Sequence, residues 1–300
     1  MSSSLNRISV CICTYKRSNL LKVLLEGLHD QETEGSFTYS IIVADNDSEQ
    51  TAKQVVSEFA ARSRISTTYC VEPRQNIALA RNKALASAQG DFIAFIDDDE
   101  FPAVNWLLSL FKTCNVSGAD GVLGPVKPCF QEEPPKWVRR GNFFERPTYR
   151  TGHRIGLSDA RTGNVLFRIK LLEGVTEPFR AEFGTGGEDT DFFRRMIEKG
   201  YIFVWCNEAV AYETVPLARC TRRYLLRKAL LCGKISTRQR AGRMRKVIKS
   251  LIAVPAYGLA LPFLFVASDH HSMKYLIKFC DHAGRLLALL GLNPVRERDL

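Results

Sequence analysis

The chain has 300 residues, 45% hydrophobic and 25% charged, which excludes intrinsic disorder and allows one large domain or a domain with an appendage. Nine scattered cysteines form no C-x-x-C pair, so neither a disulfide scaffold nor a cysteine zinc site is expected and a reducing compartment fits. The formal net charge of +10 is concentrated: residues 214–268 contain no Asp or Glu, while twelve basic residues fall within 219–249.

The N-terminal "MSSSLNRIS" lacks the basic start and apolar centre of a signal peptide, so a protein that stays on the cytoplasmic side is expected. The first strand candidate is "ISVCICT" at residues 8–14, where Cys11 and Cys13 read as small core residues. After it, Leu20, Leu21, Leu24, Leu25 and Leu28 recur at helical spacing behind a Ser18 or Asn19 cap. The alternation repeats with "YSIIVAD" before residues 49–61, "STTYCVE" before "NIALARNKALASA", and "DFIAFID" before "AVNWLLSLF". Four such units predict a parallel α/β sheet with helices on its faces, and in such sheets ligands sit beyond the carboxyl ends of the strands. Those ends carry Thr14, Tyr15 and Arg17, then Asp45, Asn46 and Asp47, then Glu72, and finally four consecutive acids, Asp97, Asp98, Asp99 and Glu100. Adjacent like charges call for an offsetting cation, and a metal ion is a candidate. Neither G-x-G-x-x-G nor G-x-x-x-x-G-K-[ST] is present, so any nucleotide is held in another way.

Residues 125–161 are rich in Pro, Gly, Arg and aromatics without a period, and read as a long loop or lid. A strand candidate, "ARTGNVLFRIKLL", follows. Next, "FGTGGEDTDFFRRMIEKG" sets Gly184, Gly186 and Gly187 before Glu188, Asp189 and Asp191 at the start of a helix. Acids in a first turn complement the helix dipole, and the glycines let backbone approach a ligand. For a sugar joined to a nucleoside diphosphate, a divalent ion held by carboxylates and phosphate oxygens would stabilise the departing diphosphate. Asp97, Asp98 and Asp99 are the carboxylates offered for that ion. Glu188 or Asp189 is the candidate base for an acceptor hydroxyl, Asp45 a contact for nucleobase or ribose, and Arg81 for a phosphate.

"VCICTYKR", "VADNDS", "NIALARNKALASAQGDFIAFIDDDE" and "FGTGGEDTDFFRRMIEKGYIFVWCNEAVAYETVP" occur in this order and resemble the successive motifs of family 2 glycosyltransferases, inverting enzymes with a GT-A fold. The resemblance implies an α/β architecture: a Rossmann-like mixed sheet flanked by helices over residues 1–233, then a C-terminal basic and apolar helical appendage over 234–300. It implies a donor site containing Thr14, Tyr15, Arg17, Asp45 and Arg81. Asp97 to Asp99 match the D-x-D element, with Asp98 facing ribose or sugar and Asp99 facing Mn2+ or Mg2+. Asp189 matches the usual base, with Glu188 beside it. Many members carry His where this chain has Glu213, which leaves a metal contact by Glu213 open. The Q-x-x-R-W motif of processive synthases is absent, which favours one sugar per encounter. "TGNVLF", "GGEDTDFF" and "EAVAYETVPLARCTRRYLLRKALLCG" further resemble bacterial exopolysaccharide glucosyltransferases of the succinoglycan type. That subgroup implies a UDP-sugar donor, UDP-glucose, and a polyprenyl-diphosphate-linked oligosaccharide acceptor at the inner face of the plasma membrane. Another nucleotide sugar and a different glycan or lipid acceptor form the alternative.

The basic segment at residues 219–249 suits anionic headgroups or the carrier's diphosphate. Residues 250–268 are apolar and uncharged, at the short edge of the roughly 20 residues a span needs, and contain Pro255, Gly258 and Pro262. Since "MKYLIKFCDHAGRLLALLGL" is amphipathic, a re-entrant or interfacial helix pair and a peripheral or monotopic protein are expected. Packing of this appendage on the catalytic domain is the competing expectation. Arginine-rich stretches also bind phosphate backbones, but the apolar run and the acidic rim argue against a nucleic-acid partner. A metal-dependent nucleotidyltransferase is a further rival, disfavoured by the order of the motifs.

Overall fold

The computed structural model describes residues 5–157, 159–238, 243–267, 269–292 and 295. The opening "MSSS", Arg240 of the basic segment and Ser268 of the apolar run lie outside the described residues, as do the side chains of Arg243 and of 261–267. The elements are β1 (Asn6–Thr14), α1 (Ser18–His29), β2 (Phe37–Asp45), α2 (Lys53–Arg62), β3 (Thr67–Val71), α3 (Ile77–Ser87), β4 (Phe92–Ile96), β5 (Glu100–Pro102), α4 (Trp106–Ser117), β6 (Gly121–Leu123) and β7 (Val126–Phe130). They continue with α5 (Lys136–Gly141), β8 (Asn164–Arg168), α6 (Glu188–Glu198), β9 (Phe203–Trp205), β10 (Ala211–Val215), α7 (Arg222–Ser236), α8 (Arg243–Ala267) and α9 (Asp269–Leu289).

Two compact units result: Met1–Pro128 with Arg146–Thr214, and Cys129–Glu145 with Val215–Leu300. The division differs from the expected break after residue 233. Helix α7 associates with the later helices because two glycines permit backbone contact: a Cβ on Gly233 would lie 2.0 Å from the Asp281 carbonyl, and one on Gly284 2.2 Å from that of Leu230. The stretch expected as one long loop is shared between the units and contains β7 and α5.

In the first unit the seven-stranded sheet has the order β3-β2-β1-β4-β8-β6-β9. β3, β2, β1 and β4 are parallel, as their strand-helix alternation predicts. β8 then runs antiparallel to both β4 and β6, and β9 parallel to β6, so the sheet is mixed. Alternation along β1 sends Ile8, Val10 and Ile12 to one face and Cys11 to the other. The first face packs Leu21, Phe59 and Trp106 from α1, α2 and α4; the second packs Ala84 and Phe192 from α3 and α6. Leu21, Leu24, Leu25 and Leu28 of α1 are all buried, each contributing about 1.5–3 kcal/mol of transfer free energy. Neither Ser18 nor Asn19 caps α1: the N-cap is Arg17, and Ser18 Oγ donates to the Thr51 carbonyl at 2.8 Å. A smaller sheet has the order β5-β10-β7.

The second unit contains α5, α7, α8 and α9. Its helices share a buried polar junction in which Arg285 donates to Ser250 Oγ, Ser236 Oγ and Asp281 Oδ2, each at 2.8 Å, and His282 Nδ1 lies 2.9 Å from Ser250 Oγ. No helix among the described residues is long and apolar enough to cross a membrane.

Candidate active site

The register Thr14↔Asp45 and Asp45↔Val71 brings the carboxyl ends of β1, β2 and β3 level, and β4 ends beside β1. The polar residues expected to share one rim therefore do. Thr14 Oγ1 donates to Asp98 Oδ2 at 2.8 Å, and Arg17 Nη1 reaches Asp98 Oδ1 at 3.0 Å and Asp99 Oδ2 at 3.4 Å. Tyr15 is exposed beside them. Asp45 is fully buried and accepts from the Asp47 and Ala52 amides at 3.1 and 2.9 Å and from the Tyr69 hydroxyl at 2.8 Å. These bonds fix the loop after β2. Asn46 extends the frame by donating to the Glu72 and Arg74 carbonyls and accepting from the Asn76 amide. Asn76 in turn caps α3, accepting from the amides of Ala78 and Leu79.

Arg81, on α3, is the hinge of the arrangement. Buried beneath the rim, it pairs with Glu188 at the start of α6 and reaches Asp97 Oδ1 at 3.4 Å. Two acids separated by ninety-one residues thus meet on one guanidinium. Glu188 is buried and its Oε2 has no hydrogen-bond partner among the described residues; burial raises its carboxyl while Arg81 draws it down. Asp189, next along, is half-buried and accepts from the Thr190 amide at 2.6 Å. Gly186 and Gly187 precede it at φ 122° and 94°, a left-handed backbone that a side chain would strain, so the approach to α6 requires glycine.

The carboxylate cluster is desolvated faster than it is neutralised. Burial lifts Asp98 to about 6 against the pull of Arg17, and it raises Glu100 and Asp97 as well. Gly163, just before β8, passes directly under the cluster: a Cβ there would stand 2.8 Å from Glu100 Oε1 and 3.0 Å from Asp97 Oδ2. Glu213 lies opposite Glu100 in the β5–β10 pair, and the Thr214 amide donates to the Asp99 carbonyl at 2.8 Å. Its carboxylate is taken by Arg146 at 2.5 Å.

Arg146 and Gly163 were not legible as site residues. Arg146 stands in an aperiodic stretch, and no local pattern distinguishes an arginine that will return to a sheet from one that faces water. Gly163 lies in the quoted "TGNVLF", but spacing alone does not reveal its closeness to the acids.

A divalent cation suits these residues by donor chemistry. Hard carboxylate oxygens are gathered, partly desolvated, and incompletely offset by Arg17 and Arg81. Among the described residues no group of three or more His, Cys, Asp or Glu forms a ready-made metal cage. Magnesium-type sites in nucleotide enzymes need only one or two carboxylates, the remaining ligands coming from phosphate and water.

The model of glycosyl transferase family 2 matches residues 9–175, which run from within β1 through β8 and include the acidic rim. The chain belongs to glycosyl transferase family 2. It is an enzyme of the glycosyltransferase class with a GT-A-like mixed sheet. The succinoglycan biosynthesis protein ExoM of Rhizobium meliloti (strain 1021) is 31% identical over 97% of this chain and 95% of its own. A mannosyltransferase from Pyrobaculum calidifontis, solved with GDP-Man and Mn2+, superposes with a TM-score of 0.65 at 19% identity over 96% of this chain and 87% of its own. S. aureus TarS 1-349 in complex with UDP-GlcNAc gives a TM-score of 0.57 at 15% identity, over 96% and 93%. At those identities the structural likeness is one of fold.

Proposed function

We propose that this family 2 enzyme transfers glucose from UDP-glucose, with inversion, to a polyprenyl-diphosphate-linked oligosaccharide during exopolysaccharide assembly. The observation that carries the reading is the Arg81 bridge, which joins Asp97 at the end of β4 to Glu188 at the start of α6. It ties the donor-side carboxylates to the helix that bears Asp189, as a displacement at an anomeric carbon requires. Asp189 removes the proton from the acceptor hydroxyl, while Glu188 beside it is committed to Arg81. Thr14, Tyr15, Arg17, Asp45 and Asp98 bound the donor pocket. Asp99 is the residue that would hold Mn2+ or Mg2+, which when bound supplies positive charge to the leaving UDP. The near full-length similarity to ExoM supports the exopolysaccharide assignment, and the succinoglycan-type motifs support the glucosyl donor.

The acceptor places the enzyme at the inner face of the plasma membrane as a peripheral or monotopic protein. Helix α8 supports this: Met244, Ile248, Leu251, Ile252 and Leu259 are exposed and recur at helical spacing as one apolar stripe, with Arg245 and Lys249 exposed near its start.

Calorimetric titration of UDP, first with manganese and then with EDTA, tests the donor site. Binding that needs the metal and disappears in Asp99→Ala is expected, followed by UDP release from UDP-glucose when a lipid-linked oligosaccharide is added. Metal-independent binding retained in the variant would remove Asp99 from the metal role, and transfer from other nucleotide sugars alone would overturn the glucosyl donor.

A further inference from the structure

Within the second unit, one face each of α7, α8 and α9 closes on a cavity of about 540 Å3. That volume falls in the ~300–1,000 Å3 range of small-ligand sites. Helical spacing explains the convergence: Leu225, Lys228, Ala229 and Cys232 lie on one stripe of α7, and Ile277, Lys278, Asp281 and His282 on one stripe of α9. Lys249 and Tyr257 come from α8, and Phe143 and Phe144 from the segment after α5.

The chemistry of the lining is split. Phe144, Leu225, Ala229, Tyr257 and Ile277 give apolar walls, whereas Lys228, Lys249 and Lys278 are exposed residues at the margin. None of these three ammonium groups has an ion-pair partner among the described residues. Lys228 and Lys278 instead lie 5.9 Å and 5.5 Å from the rings of Tyr224 and Tyr275. The acid of the lining, Asp281, is committed to Arg285, and His282 to the Ser250 junction. An occupant must therefore combine a hydrocarbon body with a multiply charged anionic head.

We infer that this cavity holds the diphosphate and the first isoprene units of a single polyprenyl carrier. The inference rests on the proposed function and deepens it, assigning the carrier end of the acceptor to residues of the second unit, most of them beyond the 9–175 stretch that the family model matches. The lysines grip the diphosphate by charge-assisted hydrogen bonds, and the walls cover the branched chain where it leaves the head. The apolar stripe of α8 meets the bilayer from which the carrier comes. A fatty-acyl phospholipid would satisfy the walls but offers one phosphate diester to three ammonium groups.

The test uses the full-length protein with farnesyl diphosphate as the probe, titrated calorimetrically beside inorganic diphosphate, farnesol, and phosphatidylglycerol vesicles free of isoprenoid. Farnesyl diphosphate is expected to bind at least tenfold more tightly than inorganic diphosphate or farnesol. Each of K228S and K249S should weaken it about tenfold, the scale of one charge-assisted hydrogen bond. C232W, which fills the cavity from an exposed position on α7, should abolish it while the melting profile keeps its cooperativity. Equal binding by wild type and all three variants overturns the inference. So does equal affinity for inorganic and farnesyl diphosphate, since the walls then contribute nothing. Binding to vesicles with none to farnesyl diphosphate overturns it in favour of a plain bilayer surface. UDP titration on the same samples reads the donor site separately: farnesyl diphosphate binding without UDP binding defeats the glycosyl-transfer reading alone.

Discussion

The two units handle the charge around their candidate sites in opposite ways. In the first, carboxylates gather at strand ends and arginines come from far along the chain to meet them: Arg17 to Asp98 and Asp99, Arg81 to Asp97 and Glu188, Arg146 to Glu213. In the second, Lys228, Lys249 and Lys278 border an apolar cavity without a carboxylate partner among the described residues. Internal pairing fixes geometry, since a buried ion pair holds both partners in place. Unpaired charge beside apolar walls leaves free energy available to a ligand. One unit is therefore organised for positioning reacting groups and the other for capture.

The largest expected effect breaks the positioning side at its reactive end. Asp189→Asn preserves size and the hydrogen bond from the Thr190 amide but removes the base, so transfer should fall by about a thousandfold, within the ~10²–10⁴ range of general base catalysis. UDP affinity should stay within error by calorimetry. Full transfer in the variant would eliminate Asp189 and turn attention to Glu188, whose Oε2 has no hydrogen-bond partner among the described residues.

Next in size is the bridge itself. Arg81→Met leaves Glu188 buried without its countercharge, which should cost about 3–5 kcal/mol in chemical denaturation. Adding Glu188→Gln should recover most of that loss, because the uncompensated charge goes with it. If the double variant remains as unstable as the single one, the guanidinium acts by filling space against Phe179, over which it lies at 5.6 Å.

How far these features could be read beforehand depended on their range along the chain. The leucine stripe of α1 and the five-residue run of β4 are periodic or continuous over a helix or strand length, so local pattern revealed them, and the parallel direction of β1 to β4 followed from alternation, whereas their order β3-β2-β1-β4 did not. β6 and β9 have three residues each, too few for a period, and the antiparallel entry of β8 depends on a path through an aperiodic stretch. The rim acids could be listed from the strand ends. Their closeness to Glu188 came from the ordered family motifs, because ninety-one residues of spacing carry no such information. Arg146 had neither aid. The division between the units was hidden for a related reason: Gly233 looks like a helix ending, and only a second glycine about fifty residues later turns it into a helix contact.

That contact gives the third prediction. In Gly284→Leu the new side chain begins at a Cβ only 2.2 Å from the Leu230 carbonyl, so α7 and α9 must separate. Overpacking of this kind costs about 1–3 kcal/mol. Farnesyl diphosphate binding should weaken with it, because both helices line the cavity, whereas UDP binding should hold. Loss of UDP binding together with the lipid probe would mean that the two functions do not separate as the opposed charge patterns suggest.

The smallest effect concerns pH. His282 is buried between α8 and α9, and desolvation, helped by Arg285, lowers its pKa below the ordinary value; Lys249 acts in the same direction and Asp281 against it. Between that lowered pKa and the unfolded value of about 6.5, the unfolded chain binds the extra proton. Stability from this group is therefore fully present above about pH 6.5 and declines as pH falls through that point. His282→Asn keeps a polar group near Ser250 and removes the titration, so its melting temperature should change less than that of the wild type between pH 7.5 and 5.5. Parallel pH profiles for the two proteins would assign the acid sensitivity to the carboxylates of the first unit, where burial already holds Asp98 near 6.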